Sequence, residues 1–322
     1  MADGAHASTG WLVGAYAAAP SRIGWDPDAE RRFLDALGAL PGVVGLELPW
    51  AHGAFHLRDE GWMLERIPSD AQIVVTTAPD TSNRHRASST FGLASTDEDG
   101  RRDAIEATRA LHAALPRLRA SVPVVSAVEL HGAPRATPGA SSASALRESL
   151  AEIAGWDWGG ARLVVEHCDA WVPTHAPAKG YLALDDELAV VHALRDEGVL
   201  VGISVNWGRS VIEQRDPDAG RAHAALAAAR GVLDGIVLSG AAPVATPVGG
   251  AWADVHAPFA DDGAYAGSLL TVERAAATIE AAGHVAFRAV KVGAPSSASV
   301  DERIAVVARA IAAAQGVDAL VR

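Results

Sequence analysis

Residues 161–171 read ARLVVEHCDAW: three apolar residues, Leu163, Val164 and Val165, lead directly into Glu166, His167, Cys168 and Asp169. A short Val/Leu run bounded by polar residues reads as a strand buried on both faces, as in a parallel sheet. Four groups able to titrate, ligate a metal or attack carbon then stand at its C-terminal end, the end at which parallel α/β folds place their chemistry. Seven further runs of this kind occur, so that candidate strands lie at 11–16, 43–48, 72–77, 123–130, 162–167, 200–206, 235–240 and 287–292. Every one except the second is followed by a segment of helical period.

Eight strand–helix units in one direction predict an α/β chain folded as a single (β/α)8 TIM barrel. The helices carry start signals. Asp26-Pro27 places a capping carboxylate before a proline at the first helical position, and Ser299 with Glu302 resembles a capping box. A barrel of this kind needs roughly 250 residues, and the 322 present leave an excess that falls in long Gly/Pro/Ser-rich connections at 49–70, 78–99, 131–144, 169–185, 207–220 and 241–270. Each follows a strand, which predicts long loops at the C-terminal face. An open doubly wound sheet would want a glycine-rich phosphate turn after the first strand, and AYAAAPSRIG is not one. Residues 1–10 read as a flexible N-terminus and 11–322 as the barrel domain.

Composition narrows the partners. A formal charge of −12 with no Lys/Arg run excludes the basic field that nucleic acid requires. Cys168 is the only cysteine, so neither an internal disulfide nor a multi-cysteine cluster can form. The first ten residues lack the pattern of an export signal, and no apolar segment is expected to reach the length of a bilayer span. A cytoplasmic protein that meets a small molecule, with no nucleic acid or membrane partner and with room for a homo-oligomer, is the expectation.

Side chains alternate along a strand, so parity decides which polar residues can meet. Glu166 shares a face with Val164 and Cys168, whereas His167 shares one with Val165 and Asp169. Glu47, Glu129, Ser204, Asn206, Ser239 and Lys291 are each flanked by apolar residues of opposite parity near the ends of their strands. The same register in these five strands selects Glu166 in a sixth as inward-facing and leaves His167 beneath the helix layer. Glu166 and Lys291 form the expected catalytic pair, a carboxylate base and an ammonium that stabilises developing charge, with Glu129 and His131 as further acid/base groups. Glu47, Asn206, Arg209, Trp207, Trp252 and His256 are the expected substrate-binding residues: hydroxyl partners, an anion-binding guanidinium, and aromatic walls suited to a sugar ring. Arg22 is a further anion-binding candidate, and Cys168 reads as an inert buried thiol.

With strand-end Glu47, Glu129 and Glu166 on a barrel of this size, the chain resembles the xylose-isomerase-like superfamily of TIM barrels. That group contains sugar (phosphate) isomerases and epimerases, inosose dehydratases and metal-dependent AP endonucleases. The metal-dependent members hold a divalent cation with a Glu, an Asp, a His and a second Glu on successive later strands. Here the first matches Glu166, but the following strands offer Asn206, Ser239 and Lys291, the pattern of a bacterial branch with a degenerate metal motif. The resemblance therefore implies a sugar, sugar acid or sugar phosphate as substrate, with no metal ligands and no cofactor expected. A rearranged set of Glu129, His131, Glu166 and His256 could take Zn or Mn. The implied activity is a carbohydrate isomerase or epimerase acting by proton abstraction next to a carbonyl. The alternatives are a lyase or aldolase with a Schiff base on Lys291 and a non-catalytic sugar-binding barrel.

Overall fold

A computed structural model describes residues 10–122, 124–261 and 263–321; residues 1–9, most of the expected flexible N-terminus, lie outside them. Eight parallel strands close on themselves in sequence order: β1 (Trp11–Val13), β2 (Val43–Pro49), β3 (Gln72–Thr76), β4 (Val124–Leu130), β5 (Arg162–His167), β6 (Val201–Asn206), β7 (Leu233–Leu238) and β8 (Phe287–Val290). Closure is made by β1 against β8, where Leu12 pairs with Ala289 and Val13 with Val290. The expected (β/α)8 TIM barrel is the fold.

Around the strands lie α1 (Pro27–Gly38), α2 (Glu60–Leu64), α3 (Ala78–Ala87), α4 (Glu98–Arg119), α5 (Ala143–Ala154), α6 (Leu184–Asp196), α7 (Trp207–Gln214), α8 (Ala219–Ala229), α9 (Val272–Ala282) and α10 (Val300–Val321). Asp26 caps α1 by accepting from the amides of Asp28 and Ala29 at 3.0 and 3.1 Å, and Phe33 and Leu37 turn into the core. Burying each of those side chains contributes roughly 1.5–3 kcal/mol. Ser299 and Glu302 form the expected reciprocal cap, at 2.7 and 3.3 Å. After β2 the chain makes only the five-residue α2, in keeping with the missing helical pattern there.

The barrel axis is filled by Leu12, Val74, Ala127, Val164, Val237, Phe287 and Ala289. Glu129, Glu166, Ser239 and Lys291 each follow one of these residues by two positions and so share its face. Apolar residues thus plug the lower barrel, and polar ones crown it.

Two expectations are corrected. Strand one ends at Val13 rather than at residue 16, because Gly14 (φ −75°, ψ 62°) turns the chain into a 3-10 turn over Ala15–Ala17. That turn brings Tyr16 over the crown. The C-terminal helix α10 is long and apolar enough, by length and composition, to cross a membrane, contrary to the sequence expectation. It packs on α1 and α9 and buries Val306, Val307, Ala310, Ile311, Ala314 and Val317.

Candidate active site at the barrel mouth

The crown is a chain of ion pairs and hydrogen bonds without exposed surface. Lys291 Nζ contacts Glu47 Oε1 and lies 4.0 Å from Glu166 Oε1. Glu166 also meets Arg209 Nη1 at 2.7 Å and His131 Nε2 at 2.8 Å through Oε2, and its Oε1 accepts from Asn206 Nδ2 at 3.0 Å. Glu129 Oε1 accepts from Ser204 Oγ at 2.9 Å. Thr77 Oγ1 donates to the Glu129 carbonyl oxygen at 3.0 Å and stands 2.9 Å from His131 Nδ1, fixing that ring from behind. Gly14 makes room for the ion pair: a methyl group there would stand 2.9 Å from both Glu47 Oε2 and Lys291 Cγ.

Charge is balanced residue by residue. Burial alone would raise Glu166, but Arg209 and Lys291 outweigh it and hold the carboxyl well below its usual range. Burial would lower Lys291, and the Glu47 carboxylate reverses this and keeps the ammonium charged. Glu129 is driven the other way, well up, first by burial and then by the nearby Glu166 and Glu47. Burial raises Glu47 as well, opposed by the Lys291 ammonium in contact with it, and Arg209 and Lys179 stand against Glu166 and Asp254. Unpaired charges at such depth would each cost several kcal/mol.

Above this crown opens a cavity of about 220 Å³, lined in part by Tyr16, Arg22, Lys179, Arg209, Asp254 and His256. Arg209 is its floor, clamped from below by Glu166 and from the side by Asp254 Oδ2 at 3.1 Å. Lys179 Nζ meets the same Asp254 oxygen at 3.3 Å. His256 Nδ1 lies 2.9 Å from Ser239 Oγ and 3.5 Å from Asp254 Oδ1. Its backbone is left-handed, φ 57°, a strained conformation for a non-glycine residue and one that clusters at functional sites. Burial, together with the cations Lys291, Arg209 and Lys179, pushes the imidazole down to about 3, so it is neutral at physiological pH.

These positions redistribute the expected roles. Of the residues singled out in the sequence, Arg209, His256 and Arg22 reach the cavity, whereas Glu47, Glu129, His131, Glu166, Asn206 and Lys291 lie beneath it. Glu166 is a poor proton acceptor because its oxygens are engaged and two cations stabilise its charge. Trp207 does not wall the pocket; it is fully buried, with Gly220 packed against its ring. Trp252 lies outside the cavity lining, under the Arg215 guanidinium at 4.3 Å. Asp254, Lys179 and Tyr16 were missed, although the Asp254-Val-His256 spacing in a loop after a strand was a readable signal.

The four-residue stretch EHCD separates as parity requires. Cys168 is buried beside Ala133 and Tyr181, and burial raises its thiol far above the ordinary range. Asp169 accepts from the amides of Lys179 and Gly180 at 2.9–3.2 Å, pinning the loop that carries Lys179 to the cavity. His167 faces away from the axis, between Glu187 and Glu213.

The divalent cation implied by the fold group does not fit the crown. A Lys291 ammonium stands where a ligand is expected, Arg209 and His131 occupy Glu166 Oε2, and Asn206 presents its Nδ2 donor to Glu166. The rearranged set of Glu129, His131, Glu166 and His256 is not among the groups of described residues whose ligand atoms converge. Among the described residues, the His/carboxylate group whose ligand atoms do converge is His167, Glu213 and His223, behind β5.

Comparison with known proteins agrees with this architecture. The solved L-ribulose 3-epimerase superposes with a TM-score of 0.60 at 16% identity, covering 97% of this chain and 95% of that one. A xylose isomerase-like TIM barrel protein from Mycobacterium smegmatis, solved with magnesium, gives 0.52 at 12% identity, with 99% of both chains covered. The fold shared with both is the (β/α)8 barrel, and in this the protein is similar to xylose isomerase-like TIM barrels. An uncharacterized protein of Salmonella typhimurium (strain LT2), STM3670, is 38% identical over 258 residues, 79% of each chain. The profile of the domain of unknown function DUF4862 matches residues 12–306, and the chain belongs to that family.

Proposed function

We propose that the protein is a carbohydrate isomerase or epimerase that moves a proton at a carbon next to a carbonyl, without a metal ion at the barrel mouth. The observation that carries this reading is the juxtaposition of the clamped Arg209 with the neutral, strained His256 on one cavity. Removing a proton next to a carbonyl builds negative charge on the carbonyl oxygen. A guanidinium already locked in place by Glu166 and Asp254 stabilises that oxygen without reorganising. Lys179 and Arg22 add positive charge at the rim, suited to a sugar acid or phosphate. His256 has Nδ1 engaged by Ser239, so exchange of the proton with a bound sugar falls to Nε2, and an anionic sugar acid or phosphate in the cavity offsets the cations that depress the ring and restores its basicity. Sugar epimerisation is also the activity in the name of a solved protein sharing the fold.

The buried crown has a positioning role in this scheme. Lys291, held by Glu47, together with His131 and Asn206 holds Glu166, and Glu166 holds Arg209. A charged Lys291 locked on Glu47 is a poor nucleophile, which counts against the Schiff-base alternative. Borohydride reduction of the protein with a panel of keto sugars tests this point. The expected result is no mass increment on the peptide containing Lys291, and an increment there would replace the isomerase reading with a Schiff-base lyase.

A further inference from the structure

Behind β5, on the face turned away from the barrel axis, four elements bring two histidines and two glutamates together. His167 ends β5, Glu187 lies in the first turn of α6, Glu213 near the end of α7, and His223 in α8. All four are buried, His223 being 8% exposed. His167 Nδ1 is 2.7 Å from Glu187 Oε2, and its Nε2 is 3.0 Å from Glu213 Oε2. His223 Nε2 is 3.8 Å from Glu213 Oε1.

A protonated His167 between two carboxylates accounts for three of these residues and leaves His223 unexplained. Its Nδ1 is buried without a hydrogen-bond partner, and its Nε2 is aimed at a carboxylate oxygen beyond hydrogen-bond reach. The two histidines approach different oxygens of the one Glu213 carboxylate, at 3.0 and 3.8 Å. One ligand atom from each of His167, Glu213 and His223 lies within 4.8 Å of the other two, so that a modest contraction brings them to the roughly 3.4 Å spacing of ligands about 2.1 Å from a tetrahedral zinc. Glu187 completes the pattern, since a histidine ligand commonly donates its other ring nitrogen to a carboxylate that fixes its orientation.

We infer that His167 Nε2, Glu213 and His223 Nε2 bind a divalent cation, zinc by donor type, with Glu187 orienting His167. The cation takes the place of a proton on His167 Nε2, and that proton leaves to solvent. Two carboxylates, two neutral imidazoles and a dication leave the buried cluster without net charge. The slightly exposed His223 edge is the route of entry. Glu213 Oε2 also accepts from the Ala170 amide at 2.8 Å, next to Asp169, so the cation braces the loop that delivers Lys179 to the cavity. This site is separate from the barrel mouth, and its binding of a cation does not rest on the proposed activity.

The test uses the full-length protein stripped with a chelator, re-equilibrated with zinc alone, and measured by plasma mass spectrometry and thermal unfolding. Cobalt substitution provides an absorption spectrum that reports tetrahedral nitrogen/oxygen ligation. The expected result is one equivalent of zinc and a raised Tm in the wild type. Binding should weaken about a hundredfold or more in both His223→Ala and His223→Gln and persist in Glu129→Gln, which keeps a side chain able to accept from Ser204 at the crown. Failure of the wild type to bind, binding that survives both His223 substitutions, or binding that is lost in Glu129→Gln would each overturn the inference. Should His223→Ala fail to fold, His223→Gln and the cobalt spectrum of the wild type decide the matter.

Discussion

A lysine ammonium with no exposed surface is stable only beside a carboxylate, and Lys291 has Glu47 in contact and Glu166 4.0 Å away. Removing one partner leaves the other charged and buried. Lys291→Met is therefore expected to destabilise the protein by about 3–5 kcal/mol in urea unfolding. The double variant Glu47→Leu with Lys291→Met should recover most of that loss, because two apolar groups of similar volume replace the pair. Equal losses in the single and double variants would show that Lys291 matters through its packing alone. Asp254 completes the same scheme nearer the cavity, where Arg209 and Lys179 hold its carboxyl far below the ordinary range despite burial.

At the scale of elements, the barrel owes its polar crown to where strands stop. β1 is only three residues long, and its early end at Gly14 frees the space into which Glu47 and Lys291 reach. Gly14→Ala is expected to cost about 1–3 kcal/mol by overpacking the ion pair. Gly24→Ala, where a methyl group meets nothing within 4 Å, should stay within about 0.5 kcal/mol of the wild type. Chemical denaturation of both variants checks this. Equal stability of the two variants would mean that the chain between β1 and α1 yields without disturbing the crown. The loops act in the same way: Asp169 pins the loop after β5 through the amides of Lys179 and Gly180, and Gly240 and Ala257 exchange backbone hydrogen bonds at 2.9 and 3.0 Å to hold the loop carrying Asp254 and His256.

At the scale of the molecule, eight strands were legible because apolar runs recur at regular intervals, and the inward set was legible because parity is a geometric property of any strand. Glu47, Glu129, Glu166, Ser204, Asn206 and Lys291 meet in one buried network as their parity requires. What parity does not encode is height along the axis, so residues sealed under Arg209 looked identical in sequence to residues facing the cavity. Lys179 and Asp254 come from loops whose paths depend on contacts far apart in the chain, and Trp207 was misplaced because helix α7 begins at that residue and turns it into the core. The central claim is that the cavity above Arg209 exchanges a proton with a sugar. Its most direct test is to incubate the protein in D2O with a panel of aldoses, ketoses, sugar acids and sugar phosphates, and to follow deuterium by NMR. The account predicts deuterium at the carbon next to the carbonyl of a turned-over substrate, falling about 100- to 10,000-fold in His256→Asn. Turnover without any solvent deuterium, or a bound polyol that raises Tm while no panel member exchanges, would contradict it.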